Sequence, residues 1–198
     1  MEISLLHRRE GIIISTIETL NEVGLQNLST KLIAKREGVS EGTLFRHFKN
    51  KTEIMLAVID HFSQFDNAIM DAAVNRKLNS IETIRHFICA FAEYYQNYPA
   101  ITVVVQAYDS LMCDSELCDK MKSIIDKRSE FLLKNIKIGQ ENGMINPNIK
   151  GELLEDLISG GSRDICLKWR MSNFSFSLKD RTLEMLDMVL NAFKVNDK

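Results

Sequence analysis

Apolar residues recur along this chain at three- and four-residue steps in segment after segment, and no stretch alternates apolar with polar for long enough to read as a strand. The pattern predicts an all-α chain of about nine helices. Ile13, Ile17 and Leu20 stripe a first helix over about 4–23, with Gly24 as its stop. Two short amphipathic helices follow, ending near Glu37 and His47. Ile54, Leu56, Val58, Ile59, Phe62 and Phe65 mark a single helix from Lys51 to about Val74, and Ile84, Phe87, Ile88, Phe91 and Tyr95 another from Ile81 to Tyr95. Pro99 drives Tyr98 out of the helical region. From Ala100 to Met112 the chain is apolar almost all round, which predicts one centrally buried helix. Asp114 or Ser115 caps a long helix that Gly143 ends, and Asn146-Pro147-Asn148 is a turn. Helices over about 150–170 and 177–195 close the chain. The last carries Leu183, Leu186, Leu190 and Phe193 on one stripe, which must be covered. Gly160-Gly161 in the helix before it costs up to about 1 kcal/mol per residue against Ala; either a close backbone approach or a local kink accounts for the pair.

The segment from Ser29 to Asp60 carries the most information. Ala34 offers a small surface on which a second helix can cross closely, and Gly38 takes the left-handed conformation that reverses the chain within a few residues. Ser40 restarts the helix as an N-cap. Leu44 and Phe48 then face the core, while Thr43, Arg46 and His47 face the other way, where a DNA major groove would meet them. Asn50 caps the next helix, with Glu53 in the reciprocal capping-box position. Lys51 sits in that first turn against the helix dipole, a mild conflict that a bound phosphate would resolve.

These residues resemble the helix-turn-helix of the TetR/AcrR family of transcriptional regulators. The likeness rests on Lys31-Leu32-Ile33-Ala34-Lys35-Arg36-Glu37-Gly38-Val39-Ser40 and on Gly42-Thr43-Leu44-Phe45-Arg46-His47-Phe48-Lys49-Asn50-Lys51. It covers roughly the first third of the chain. The family often has Tyr where Phe45 stands; Phe45 packs on deoxyribose but gives a phosphate no hydroxyl. The resemblance implies a three-helix DNA-binding head over residues 1–50 and a helical effector-binding and dimerisation domain over 51–198. It also implies a homodimer whose last two helices pair with those of a second subunit, with Leu157, Gly160, Gly161, Leu183, Leu186, Leu190 and Phe193 as interface candidates. A ligand in the second domain would lower operator affinity.

Composition adds limits. A chain of 198 residues, 45% hydrophobic, buries a substantial core. Its formal charge of −2 argues against coating nucleic acid by bulk positive charge, but Arg8, Arg9, Lys31, Lys35, Arg36, Arg46, Lys49 and Lys51 supply a local basic patch. No run of about 18 apolar residues and no signal core appears, so a cytoplasmic protein with no membrane partner is expected. The four cysteines match no common zinc pattern. They read as reduced, partly buried thiols or as a redox sensor. No phosphate loop, metal pair or nucleophile motif is present, so no enzyme, catalytic residue, metal or cofactor is expected.

Function then divides among residues. Two heads related by a twofold axis would read a palindromic double-stranded operator. Arg46 suits guanine and Thr43 a thymine methyl or a base edge. Ser29, Thr30, Ser40, His47 and Lys51 are placed to hold phosphates, with capping as the other role of Ser29, Thr30 and Ser40. Glu41 complements the helix dipole or accepts from cytosine; Gly42 and Phe45 complete the DNA-facing set. Phe87, Phe91, Tyr94, Tyr95, Tyr108, Met112, Phe131 and Trp169 either close the core or line a pocket for a lipophilic or aromatic effector. Gln106, Asp109 and Arg163 are its polar handles. A head that recruits a protein partner instead of DNA is the remaining alternative.

Overall fold

The computed structural model describes residues 5–195. Among them the chain is helical apart from one isolated β-bridge, Ile145 to Lys194, where the Asn146 N–H donates to the Phe193 carbonyl at 2.9 Å. The helices are α1 (Leu5–Asn27), α2 (Thr30–Glu37), α3 (Glu41–His47), α4 (Lys51–Phe62), α5 (Asp66–Asn75), α6 (Ser80–Asn97), α7 (Val103–Gln106), α8 (Tyr108–Leu111), α9 (Ser115–Glu141), α10 (Gly151–Met171) and α11 (Leu178–Ala192). A 3-10 turn, Pro99–Thr102, precedes α7.

The all-α expectation holds, but two expected helices are divided. The helix read over 51–74 breaks at 63–65. There the Ser63 hydroxyl donates to the Ile59 and Asp60 carbonyls, and the chain restarts at a buried Asp66. The apolar run 100–112 is three short pieces joined at Thr102 and Ala107. It is also not buried throughout, since Met112 is 63% exposed. Gly24, expected to stop the first helix, instead kinks it at φ 75°, and the helix runs on to Asn27; its expected start at Ser4 lies outside the described residues.

Packing divides the chain into two compact units. One takes in Met1–Gln64 and Pro99–Ile124, the other Phe65–Tyr98 and Ile125–Lys198. In the first unit α1 is the hub, packed by α2, α4, the 3-10 turn and α7. Ile12, Ile17 and Leu20 of α1 are fully buried with Ile33, Leu44, Ile54, Val58, Ile59 and Phe62. Its buried hydroxyls are satisfied locally: Thr16 donates to the Ile12 carbonyl at 2.7 Å and Thr19 to that of Ser15 at 2.6 Å.

In the second unit α11 packs on α6 and α10. Ile84, Phe87, Ile88 and Phe91 of α6 meet Leu132 and Ile136 of α9, Leu154 and Ile158 of α10, and Leu186 and Leu190 of α11. A buried ion pair lies beside this core. Arg128 donates to both Asp66 oxygens at 2.7 Å and to the Tyr95 hydroxyl at 3.0 Å, and stands 4.3 Å over the Phe91 ring. A charge taken out of water needs such partners.

Candidate nucleic-acid interface

Local chemistry builds the reading motif. The Ser29 hydroxyl caps α2 by accepting the Leu32 N–H, and Lys35 and Arg36 in the last turn suit the negative end of the dipole. Gly38 stops α2 in the left-handed region, φ 72°, with its own N–H returned to the Lys35 carbonyl and that of Val39 to Ala34. Ser40 then caps α3 by accepting the Thr43 N–H at 3.1 Å, and its hydroxyl lies 3.0 Å from that of Thr43. Leu44 is buried, and so is Phe48, under the Arg9 guanidinium at 4.6 Å.

What α3 leaves outside is the candidate DNA-facing set. Arg46 is exposed, Phe45 is 46% exposed, and Thr43, Glu41 and His47 are half-buried. Gly42 is exposed, and a Cβ there would meet only the Ser40 hydroxyl at an ordinary 3.7 Å. Ser29 and Thr30 lie half-buried at the start of α2. Motif and caps therefore bring Ser29, Thr30 and residues 40–47 onto one short unit.

The basic patch is smaller than its sequence suggests. Arg36 is bound by Glu22 and, at 2.9 Å, by Glu18; hydrogen bonding, first to Glu22, raises its pKa. Arg8 donates to Glu37, which also accepts from Ser15 at 2.8 Å. Lys31, Lys35, Arg46 and Lys49 remain exposed, without an ion-pair partner among the described residues. Lys51 is turned inward: its Nζ donates to the Leu28 carbonyl at 2.6 Å. It ties the end of α1 to the start of α4, a role the sequence reading missed because the partner is 23 residues away. The expected capping box is also displaced: Asn50 accepts the Glu53 N–H, but Glu53 accepts from Lys49, at 2.6 Å.

The other candidate sets are dispersed. Phe87 stacks on Phe131 at 4.8 Å and meets Phe91 edge-on at 4.9 Å, so these rings pack on one another in the core of the second unit. Tyr94 lies edge-on to Phe65 and beside Tyr95. Trp169 belongs to a small separate cluster with Ile165, Cys166 and Leu178. Tyr108 and Met112 fall in the first unit. Gln106, Asp109 and Arg163 are exposed, whereas the polar group that does sit among the aromatics, Arg128 with Asp66, went unread. Its signal was present: Arg128 falls on the buried 121, 124, 128, 132, 135 stripe of α9.

On α11, Leu186 and Leu190 are buried in the chain's own core, and Leu183 and Phe193 pack against it. Leu186 and Leu190 therefore have no surface left for a second chain, while Leu183 and Phe193 stay half-buried. Gly161 is also explained within the chain, because a Cβ there would stand 3.0 Å from Met185 Sδ. Leu157 is exposed, and Gly160 has open space around its Cβ position. Leu153, Met171 and Met188 join Leu157 as exposed apolar residues, and Met188 also lines an open groove of about 410 Å³ with Ile165, Lys168, Arg181, Glu184 and Met185.

Comparison with known proteins places this geometry. Residues 12–58 match the model of bacterial regulatory proteins, tetR family. That likeness covers the helix-turn-helix and the helices flanking it. Along its length the chain has the fold of TetR-family structures, a helix-turn-helix head followed by a helical domain. The ketosteroid transcriptional regulator KstR2 of Mycobacterium tuberculosis superposes with a TM-score of 0.83 at 18% identity, over 96% of each chain. FadR of Bacillus subtilis, solved in complex with stearoyl-CoA, gives 0.80 at 22% identity, over 93% of this chain and 98% of that one. The nucleoid occlusion factor SlmA of Actinobacillus pleuropneumoniae is 27% identical over 134 residues, 67% of this chain and 66% of that protein. The match thus spans just under two thirds of that relative's length. Among the described residues no helix is long and apolar enough to cross a membrane.

Proposed function

We propose that the chain represses transcription by binding a palindromic DNA operator as a homodimer, and that a small lipophilic effector releases it. The observation that carries the reading is the outer face of α3, where Thr43, Phe45 and Arg46 project from a helix whose other face is locked by Leu44 and Phe48. Ser29, Thr30, Ser40 and His47 flank that face for phosphates, and Lys31, Lys35 and Lys49 supply charge. Lys51 positions the unit through Leu28. One such helix reads only a few base pairs, so specificity calls for two heads.

The exposed strip of Leu153, Leu157, Gly160 and Met171 on α10, with Met188 on α11, supports the dimer. Long-chain acyl-CoA is the first effector to try, because a protein of the same fold was solved with stearoyl-CoA. An effector binding the DNA-incompetent state about 100-fold better supplies roughly 2.7 kcal/mol per site.

Selection of genomic fragments by the purified protein, at two salt concentrations and with and without stearoyl-CoA, tests the reading. A shared inverted repeat is expected, lost with effector. Failure of the folded, dimeric protein to enrich any sequence would reject it.

A further inference from the structure

Cys113 and Cys118 stand on either side of the start of α9, and both are free thiols. Asp114 between them is the cap. Its Oδ1 accepts the Glu116 N–H at 3.0 Å and the Leu117 N–H at 3.3 Å, and its carbonyl accepts the Cys118 N–H at 2.9 Å. Cys113 is therefore the residue before the cap and Cys118 the fourth of the helix, the two positions whose side chains meet across a helix start. Cys113 is exposed and Cys118 half-buried, so a small oxidant reaches the pair. The same cap touches the DNA-binding head. Asp114 Oδ2 accepts from the Thr52 hydroxyl at 3.1 Å, and Thr52 follows Lys51, whose ammonium holds the carbonyl just ahead of Ser29 and Thr30.

We propose that Cys113 and Cys118 form a reversible intramolecular disulfide that loosens the Asp114 grip on Thr52 and so weakens DNA binding. With a hydroperoxide as oxidant, the Cys113 sulfur attacks the peroxide oxygen. The O–O bond breaks, an alcohol or water leaves, and a sulfenic acid remains. The Cys118 sulfur then attacks that sulfur, the S–S bond forms, and the S–O bond breaks with loss of water. Two thiols have lost two electrons and two protons, and the peroxide has gained them. A dithiol reverses the step by exchange. A disulfide holds its Cα atoms at about 4.4–6.8 Å, which draws residue 113 onto the first turn and shifts the adjacent Asp114. Only the DNA readout rests on the operator function proposed above; the disulfide chemistry does not.

The test treats the full chain with one equivalent of hydrogen peroxide. A protease cutting after glutamate separates Cys89, Cys113 and Cys118 at Glu93 and Glu116. The expected product is a pair of fragments joined through Cys113 and Cys118, lost with dithiothreitol and absent from Cys113→Ser and Cys118→Ser but not from Cys89→Ser. A bridge between two chains, one involving Cys89 or Cys166, or persistence of both thiols overturns the pairing. On a selected operator the oxidised protein should bind about tenfold more weakly, within ordinary allosteric coupling, and Thr52→Val should bind alike in both redox states. Equal affinity of oxidised and reduced wild type overturns the switch. A reduced protein that selects no DNA rejects the operator function, while the fragment map still decides the disulfide.

Discussion

Arg46 and Lys51 both carry a cation at the head, but their surroundings separate what each does. Arg46 is exposed on α3, so Arg46→Ala should leave the melting temperature within about 2 °C, in keeping with a surface change, and relax preference at one or two operator bases by about 1–3 kcal/mol. Lys51 gives a charge-assisted hydrogen bond to Leu28. Lys51→Ala should therefore cost about 1.5–3 kcal/mol in denaturant unfolding and weaken all sequences alike. Equal stability of the two variants would reject the division of roles. His61 gives a pH prediction. Burial pushes its pKa below the ordinary 6.5, with Glu10 opposing in part. The unfolded chain then binds the proton more readily, so stability is full above pH 6.5 and falls as pH drops below it toward the folded value. His61→Gln should flatten thermal melts below pH 6.5, and an unchanged slope would show that other groups dominate. The capping residues of α2 and α3 were legible because a cap acts within three positions of its own chain. Lys51 to Leu28 and Arg128 to Asp66 were not, because their partners are joined only by the fold.

At the scale of helices, apolar spacing located where segments start more reliably than where they divide. Ser40 and Asn50 cap as their sequences suggest, and Asn79 and Ser177 cap α6 and α11. The breaks at Ser63 and Ala107 leave no proline or glycine to announce them; Ser63 folds back on carbonyls that a longer helix would have used, and Ala107 has no side-chain signal at all. The glycine pair on α10 shows the same difference at adjacent positions. Gly161 is held small by Met185, so Gly161→Ala forces Met185 aside and should gain nothing in stability. Gly160→Ala meets open space, and helix propensity predicts a gain of up to about 1 kcal/mol. If α10 crosses its counterpart at a twofold axis there, sedimentation of Gly160→Ala should show a weaker dimer despite the steadier fold. An unchanged dimer would move the axis elsewhere.

At the scale of the molecule, each compact unit is built from separated stretches of chain. The first closes α1 beneath the 3-10 turn and α7, residues that arrive some forty positions after α4 has ended at Phe62, and the chain last leaves this unit at Ile124, inside the continuous α9. This bears on how such a regulator can be re-engineered. Transplanting residues 1–50 onto a foreign effector domain would carry the reading helix but abandon α4 and the segment that roofs α1, exposing Ile12, Ile17 and Leu20. Such a chimera should aggregate or melt far below the parent. A graft that also transfers 51–64 and 99–124 should stay dispersed in light scattering. The modular exchange unit is thus a discontinuous one, and a designer seeking a new partner domain for the same head would do better to replace the Phe65–Tyr98 and Ile125–Lys198 stretches.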